Sequence, residues 1–263
     1  MIDSYPPGDD AELAATAAQA GANVVRDLYG RHLARIDKGG GDFATAADVA
    51  AEQVILDILR NARPHDAVLG EESGQTGAAD RQWLVDPLCG TLNYAVGTML
   101  VAVNVALRGG PAAVADPFTG ELFITDGHTA RLRHHGAETP LTPTSAARLV
   151  DVNLDPPFPS APGFRPVDLL AHPGFAEHFR PRVVSTTLAL TWVATGKRAA
   201  YLTDGGDLST NLHFAAGIAL CQTAGCVVTG IDGAPLGPTT RGLLAAADPE
   251  THAHLLALIH DRT

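Results

Sequence analysis

Apolar side chains recur every three to four positions near the start of the chain, the period of an amphipathic helix. Over residues 10–37 they fall roughly on one face, and the pattern predicts a single helix. Thr45 followed three positions later by Asp48 is a capping-box pattern, which predicts the start of a second amphipathic helix. Three glycines at 39–41 separate the two predicted helices.

Short apolar runs bounded by Gly, Pro and Asp follow Pro64, a pattern typical of strands. In the first half the predicted strands cover 82–86, 100–108, 112–116, 121–125 and 130–133. In the second half the pattern predicts strands at 183–185, 226–229 and 243–246, and helices at 188–195, 214–224 and from Pro249 onward. Two helices, a cluster of strands and then an alternation of both predict stacked α and β layers.

Residues 153–166 hold five prolines in fourteen positions. Proline lacks a backbone N–H, so this segment is excluded from being a helix or a central strand. It predicts a loop near a subdomain boundary. A lid over a functional site and an inert surface connection are both open interpretations of that loop.

Composition narrows the class of protein. The chain has 263 residues, 46% of them hydrophobic, which excludes a disordered or fibrous chain. A net charge of −11 with 18 Lys and Arg argues against nucleic acid as a partner. The apolar runs are too short to span a bilayer, and the acidic start is not a targeting segment. Three cysteines without a disulfide framework favour a cytoplasmic protein that needs no membrane.

Three segments carry the strongest chemical signal. They are GEES at 70–73, WLVDPLCGTLNY at 83–94 and NLHFAAG at 211–217. In order and spacing they resemble the inositol monophosphatase family of magnesium-dependent phosphatases, with its motifs G-E-E-[ST], W-x-x-D-P-[IL]-D-G-T-x-N-[FY] and W-D-x-A-A-G. The resemblance extends over roughly residues 10–260.

The resemblance implies a layered αβαβα fold of the α/β class. It implies an N-terminal subdomain at 1–150 with a large antiparallel sheet, and a C-terminal α/β subdomain at 151–263. The active site is expected between them. Because the family commonly forms homodimers, a homodimer is expected here too.

The resemblance also assigns metal ligands. Glu71, Asp86 and the carbonyl oxygen of Leu88 correspond to the residues that hold one Mg²⁺, and Thr91 corresponds to the threonine that orients the attacking water. A second Mg²⁺ would need aspartates at two positions that Cys89 and His213 occupy here.

The two substitutions change the expected chemistry, because Mg²⁺ prefers oxygen ligands and a thiol and an imidazole are softer. They make phosphatase activity doubtful. Lys38 is the one nearby basic residue that the resemblance suggests for balancing the acids.

Cysteine, histidine and aspartate brought together are the ingredients of a nucleophilic triad. The main hypothesis from the sequence is therefore an enzyme with Cys89 as nucleophile, His213 as base and Asp86 as the orienting group. It would carry out thioester transfer, hydrolysis or cyclisation on a small-molecule or carrier-bound acyl substrate, with no required cofactor. Gly90, Ser185 and Glu72 are its predicted substrate-binding residues.

Three alternatives stay open. The first is an altered monoesterase for sugar or polyol phosphates that keeps one Mg²⁺ at Glu71, Asp86 and Leu88. The second is a soft-metal site with Zn²⁺ at Asp86, Cys89 and His213. The third is a non-catalytic binding protein that binds its ligand in the pocket corresponding to the family's active site.

Overall fold

The computed structural model describes residues 9–39, 42–154 and 166–261. Within these ranges the helices are α1 (Asp10–Leu28), α2 (Ala46–Ala62), α3 (Thr91–Ala95), α4 (Pro166–Ala171), α5 (Pro173–His178), α6 (Leu188–Ala194), α7 (Ala215–Ala224) and α8 (Pro249–His260). None of these described helices combines the length and the apolar character needed to cross a bilayer.

The strands of the described ranges form a short hairpin and two sheets. The hairpin pairs β1 (Arg35–Gly39) with β2 (Asp42–Thr45). The first sheet contains β3 (Ala67–Gly70), β4 (Gly74–Thr76), β5 (Gln82–Cys89), β6 (Ala102–Leu107), β7 (Ala112–Ala115), β8 (Leu122–Thr125), β9 (Ala130–His134) and β10 (Ala137–Pro140). The second contains β11 (Leu149–Asn153), β12 (Arg180–Val183), β13 (Ala200–Thr203), β14 (Val227–Thr229) and β15 (Leu243–Ala246).

The elements stack in five layers. Helices α1 and α2 cover one face of the eight-stranded sheet, and α7 packs on its other face. Helices α6 and α7 also contact the five-stranded sheet, whose far face is covered by α8 and by apolar residues of α4 and α5. The predicted αβαβα fold is confirmed.

The N-terminal helix is shorter than the sequence pattern predicts. Helix α1 ends at Leu28, and Gly30 follows with a φ of +73°, a left-handed conformation that terminates helices. The later part of the predicted helix forms β1 instead, where Ile36 is half exposed rather than in a core. The predicted capping box at the start of α2 is present, with Thr45 and Asp48 bonded reciprocally.

The eight-stranded sheet is antiparallel except where β3 runs parallel to β5. This pairing places Gly70 opposite Val85, so Glu71, which follows β3, lies next to Asp86 of β5. The β5–β6 register shifts between Asp86 and Cys89, which bends the end of β5 away from regular pairing.

Two central strands of the second sheet, β11 and β13, carry only weak strand signals in the sequence. They are four or five residues long and lie parallel to each other, and β11 has a charged residue, Asp151, at its centre. Strand β12 ends at Val183, where the pattern predicts a strand to begin. Most of the proline-rich segment 153–166 lies outside the described residues, so its two interpretations stay open.

The chain passes from the first sheet to the second between Pro140 and Leu149. The middle helices contact both sheets, so the two halves share one layer. A division into subdomains at 1–150 and 151–263 stays a prediction.

A buried ion pair ties β11 to the turn after α6. The Asp151 side chain has no exposed surface, and Arg198 Nε donates to its two oxygens at 2.8 and 2.9 Å. The guanidinium also lies over the Trp192 ring, 4.6 Å from its centre. Burial outweighs the attraction of Arg198 and raises the pKa of Asp151 to about 6.

Arg198→Met should lower the free energy of unfolding by about 3–5 kcal/mol at pH 8, because Asp151 would stay buried without its partner. A raised pKa means that the folded state holds the proton more tightly than the unfolded state. The stabilising contribution of this carboxyl is therefore present below its ordinary pKa of 3.8 and lost as pH rises through about 6. Denaturant titrations should accordingly show a smaller Arg198→Met defect at pH 5 than at pH 8.

Lys197→Met is the matched control, since Lys197 is 45% exposed and pairs with Glu121 on the surface. It should cost less than about 1 kcal/mol. Equal losses in the two variants would contradict the importance of the Asp151 pair.

Candidate active site

The parallel pairing of β3 and β5 brings two carboxylates together. Glu71 follows β3 and its backbone N–H donates to the carbonyl oxygen of Val85 at 3.1 Å, while Asp86 is fully buried on β5. His213, which precedes α7, lies with Nδ1 2.8 Å from Asp86 Oδ2. Glu71, Asp86 and His213 each offer one ligand atom, and these atoms lie within 4.8 Å of one another.

The loop that carries Glu71 is fixed by a carboxylate from α2. Glu52 accepts hydrogen bonds from the backbone N–H groups of Glu72 and Ser73, each at 2.8 Å. Gly70 makes this approach possible, because a Cβ there would lie 2.7 Å from the Glu52 carboxylate. Sequence reasoning missed Glu52; its signal was an acidic residue on the apolar face of α2, where it is only 3% exposed.

Lys38, on the β1–β2 hairpin, forms ion pairs with two glutamates of the same loop. Its Nζ lies 3.1 Å from Glu71 Oε1 and 2.8 Å from Glu72 Oε1. Glu72, predicted to bind substrate, is therefore engaged by Lys38 and does not line the cavity described below. Its side chain turns toward the hairpin, and a role for Glu72 in substrate binding stays a prediction.

The ionisable groups of the cluster shift one another's pKa values. Burial and the neighbouring charge of Asp86 raise the pKa of Glu71, against the pull of His213 and Lys38. Burial lowers the pKa of His213, but the charge and hydrogen bond of Asp86 outweigh it and raise that pKa to about 9. Glu71 Oε2 is buried without a hydrogen-bond partner among the described residues. Two close carboxylates with an unsatisfied oxygen are suited to a cation.

Thr91 and Asp48 form a second polar pair beside the cluster. Thr91 Oγ1 donates to Asp48 Oδ1 at 2.9 Å and lies 3.2 Å from the carbonyl oxygen of Leu88. Asp48 Oδ2 accepts from Thr45 at the start of α2. Asp48 thus caps the helix and also binds Thr91; the sequence reasoning favoured the cap alone, although the D-x-x-T-x-x-D pattern at 42–48 was the available signal.

Cys89 does not form the predicted dyad. Within the described ranges, its hydrogen bond is to Thr187, with Oγ1 3.0 Å from Sγ, and none joins it to His213. Burial and the charge of Asp86 raise the pKa of the Cys89 thiol, so it stays protonated. The ring of His213 is turned to Asp86 instead. Cys89 is also absent from the ligand cluster of the described residues, so the Zn²⁺ site at Asp86, Cys89 and His213 is not assembled.

A cavity of about 600 Å³ opens over these residues. Gly90, Thr91 and Ser185, all predicted site residues, line it with Glu71, Leu88, Cys89 and His213. The rest of its wall is rich in hydroxyl, amide and carboxyl groups, from Asn93, Asn153, Thr186, Thr187, Thr203, Asp204, Asp207 and Asn211. No Lys or Arg stands among the described residues that line it.

Curated relatives match over nearly the full length of the chain. An inositol-1-monophosphatase from Caulobacter vibrioides is 32% identical over 91% of this chain and 96% of its own length. The Nus factor SuhB of Escherichia coli is 32% identical over 95% of both chains.

Solved structures agree. An inositol monophosphatase from Anabaena is 26% identical and superposes with a TM-score of 0.77 over 95% of each chain. The Thermotoga maritima IMPase, at 17% identity, supports the fold alone, with a TM-score of 0.81 over 96% of this chain and 97% of that one.

These findings correct the hypothesis of a cysteine enzyme for acyl substrates. The Caulobacter vibrioides relative is named as an inositol-1-monophosphatase, a phosphatase activity, and the protonated Cys89 makes no hydrogen bond to His213 among the described residues. The expectation that phosphatase activity is doubtful also has no support from that relative. The triad of Cys89, His213 and Asp86 is therefore wrong as a nucleophilic site, although Asp86 and His213 do bind each other.

The family model is the broadest of these matches. The model described as the inositol monophosphatase family matches residues 9–263, which includes both sheets and every residue of the cluster. The chain belongs to the inositol monophosphatase family.

Proposed function

We propose that the protein is a Mg²⁺-dependent phosphatase that hydrolyses a phosphate monoester of a sugar or polyol. The observation that carries this proposal is the close pair of carboxylates formed by the partly buried Glu71 and the fully buried Asp86, in which Glu71 Oε2 has no hydrogen-bond partner among the described residues. The names of the curated relatives support the same reaction class.

The residues fit one Mg²⁺ better than two. Glu71, Asp86 and the Leu88 carbonyl supply oxygen atoms, the ligands that Mg²⁺ prefers. Cys89 and His213 supply a protonated thiol and an imidazole at the second position, and neither suits Mg²⁺. When bound, Mg²⁺ polarises a phosphoryl oxygen and neutralises part of its charge.

Thr91 and Asp48 are placed to handle the water. Thr91 gives its hydroxyl hydrogen to Asp48, so its oxygen is free to accept a hydrogen from a water in the cavity. The proton lost by the attacking water passes through Thr91 to Asp48 as the water oxygen bonds to phosphorus. The phosphorus–oxygen ester bond breaks, and the departing alkoxide takes a proton from solvent water and leaves as the alcohol. Burial raises the pKa of Asp48, against its hydrogen bonds with Thr45 and Thr91, which favours its accepting a proton.

The cavity wall supports a polyhydroxylated substrate. Side chains such as Asn153, Ser185 and Thr203 offer hydrogen bonds to hydroxyl groups. The absence of Lys and Arg among the described lining residues leaves the phosphate charge to the metal ion and to His213.

We also propose a cytoplasmic location and a homodimeric state for the enzyme. The three cysteines are free thiols, which supports a cytoplasmic location. Leu92, Val96 and Met99 are apolar side chains more than half exposed in and after α3, and they support a homodimer. The net charge of −11 gives no support to a direct nucleic-acid partner.

Phosphate release from inositol 1-phosphate should require Mg²⁺ and stop when EDTA is added. Glu71→Gln should lower kcat/KM at least about a hundredfold, because it removes a charged metal ligand worth several kcal/mol. Glu138→Gln is the control, since Glu138 is exposed on β10. Release that is insensitive to EDTA, or equal activity in both variants, would contradict the proposal.

Thr91→Val should lower kcat about 10²- to 10⁴-fold with little change in KM, because it removes the group that orients the water. Thr91→Ser keeps the hydroxyl and should retain most of the rate. If Thr91→Val and Thr91→Ser behave alike in steady-state kinetics, Thr91 has no role in orienting water.

A further inference from the structure

Thr187 lies next to the candidate active site, and its hydroxyl contacts both Cys89 and the backbone of His213. It directly precedes α6 and is 2% exposed. Its Oγ1 lies 2.8 Å from the carbonyl oxygen of His213 and 3.0 Å from Cys89 Sγ. Cys89 and His213 are the two positions at which the family motif has aspartate. One buried hydroxyl therefore connects both departures from that motif.

Asn104 extends this connection to Asp86. It is fully buried on β6, directly opposite Asp86 in the β5–β6 register. Its Nδ2 donates to Thr187 Oγ1 at 2.8 Å and lies 3.4 Å from Asp86 Oδ2. The amide nitrogen thus spans the gap between the carboxylate and the threonine, while Asn104 Oδ1 has no hydrogen-bond partner among the described residues.

The main chain of His213 is held on both sides. Its N–H donates to Asn211 Oδ1 at 2.9 Å, and its carbonyl oxygen accepts from Thr187. The side chain itself is 41% exposed, so packing does little to fix the ring. The distance of 2.8 Å between Nδ1 and Asp86 Oδ2 therefore depends on where the backbone is held.

We propose that Asn104 and Thr187 are positioning residues that hold the backbone of His213 and so keep its imidazole on Asp86. A fixed imidazole–carboxylate pair then stands where the family motif supplies ligands for a second ion. The consequence for rate rests on the proposed function, because a displaced imidazole would remove a hydrogen bond from Asp86, one of the proposed Mg²⁺ ligands.

Thr187→Val tests the proposal, because valine keeps the shape and removes the hydroxyl. The first readout is the NMR signal of the His213 Nδ1 proton in metal-free protein, assigned by its loss in His213→Gln. We expect this signal to disappear or move in Thr187→Val and to return in Thr187→Ser. We also expect kcat to fall about tenfold to a hundredfold in Thr187→Val, with a smaller change in KM.

Thr191→Val is the matched control, since Thr191 is fully buried one turn along the same helix and its hydroxyl donates to the carbonyl oxygen of Leu188. It should lose stability yet keep the imidazole signal and kcat. If Thr187→Val does the same, Thr187 is structural and the proposal is overturned.

If Thr187→Val does not fold, Asn104→Ser decides the question by the same signal, with loss supporting the proposal and retention overturning it. Absence of phosphate release in every variant would overturn the proposed function alone, because the imidazole signal needs neither metal nor substrate.

Discussion

The close approach of two carboxylates is the constraint around which the rest of the site is arranged. Glu71 and Asp86 meet because β3 and β5 run parallel and β3 ends beside Asp86. Like charges in a buried place are unfavourable unless positive groups balance them. Lys38 from an exposed hairpin and His213 from the start of α7 both converge on this pair, and an added cation would complete the balance.

The part of the site formed by Cys89 and His213 differs from the family motif in its charge and in its metal ligands. Cys89 and His213 replace two aspartates of the family motif, and burial keeps the Cys89 thiol neutral. Two carboxylates remain in the cluster where the family motif has four, so its oxygen ligands suit one divalent ion rather than two. Thr187 and Asn104 give the altered residues hydrogen-bond partners, so the substitutions sit in an ordered network.

Much of this fold could be predicted from sequence because its signals are local. The capping box at Thr45, the strand β15 and the start of α8 follow directly from residue pattern. The short parallel strands β11 and β13 could not, since their pairing is set by distant contacts.

The candidate site, like the fold, could be predicted from sequence only in part. The motifs identified the acids and Thr91 as neighbours, but the side-chain directions of Cys89 and Glu72 depend on Thr187 and Lys38, which lie far away in sequence. The tendency of a thiol beside a histidine to act as a nucleophile was outweighed by burial, a property of the tertiary structure.

The most direct test of the account is the number of metal ions in the site. Crystals soaked in Mn²⁺, a substitute for Mg²⁺ with measurable anomalous scattering, should show one peak, at Glu71, Asp86 and the Leu88 carbonyl. A Cys89→Asp/His213→Asp variant treated in the same way should show a second. Two peaks in the unaltered protein, with one beside Cys89 and His213, would contradict the single-metal account.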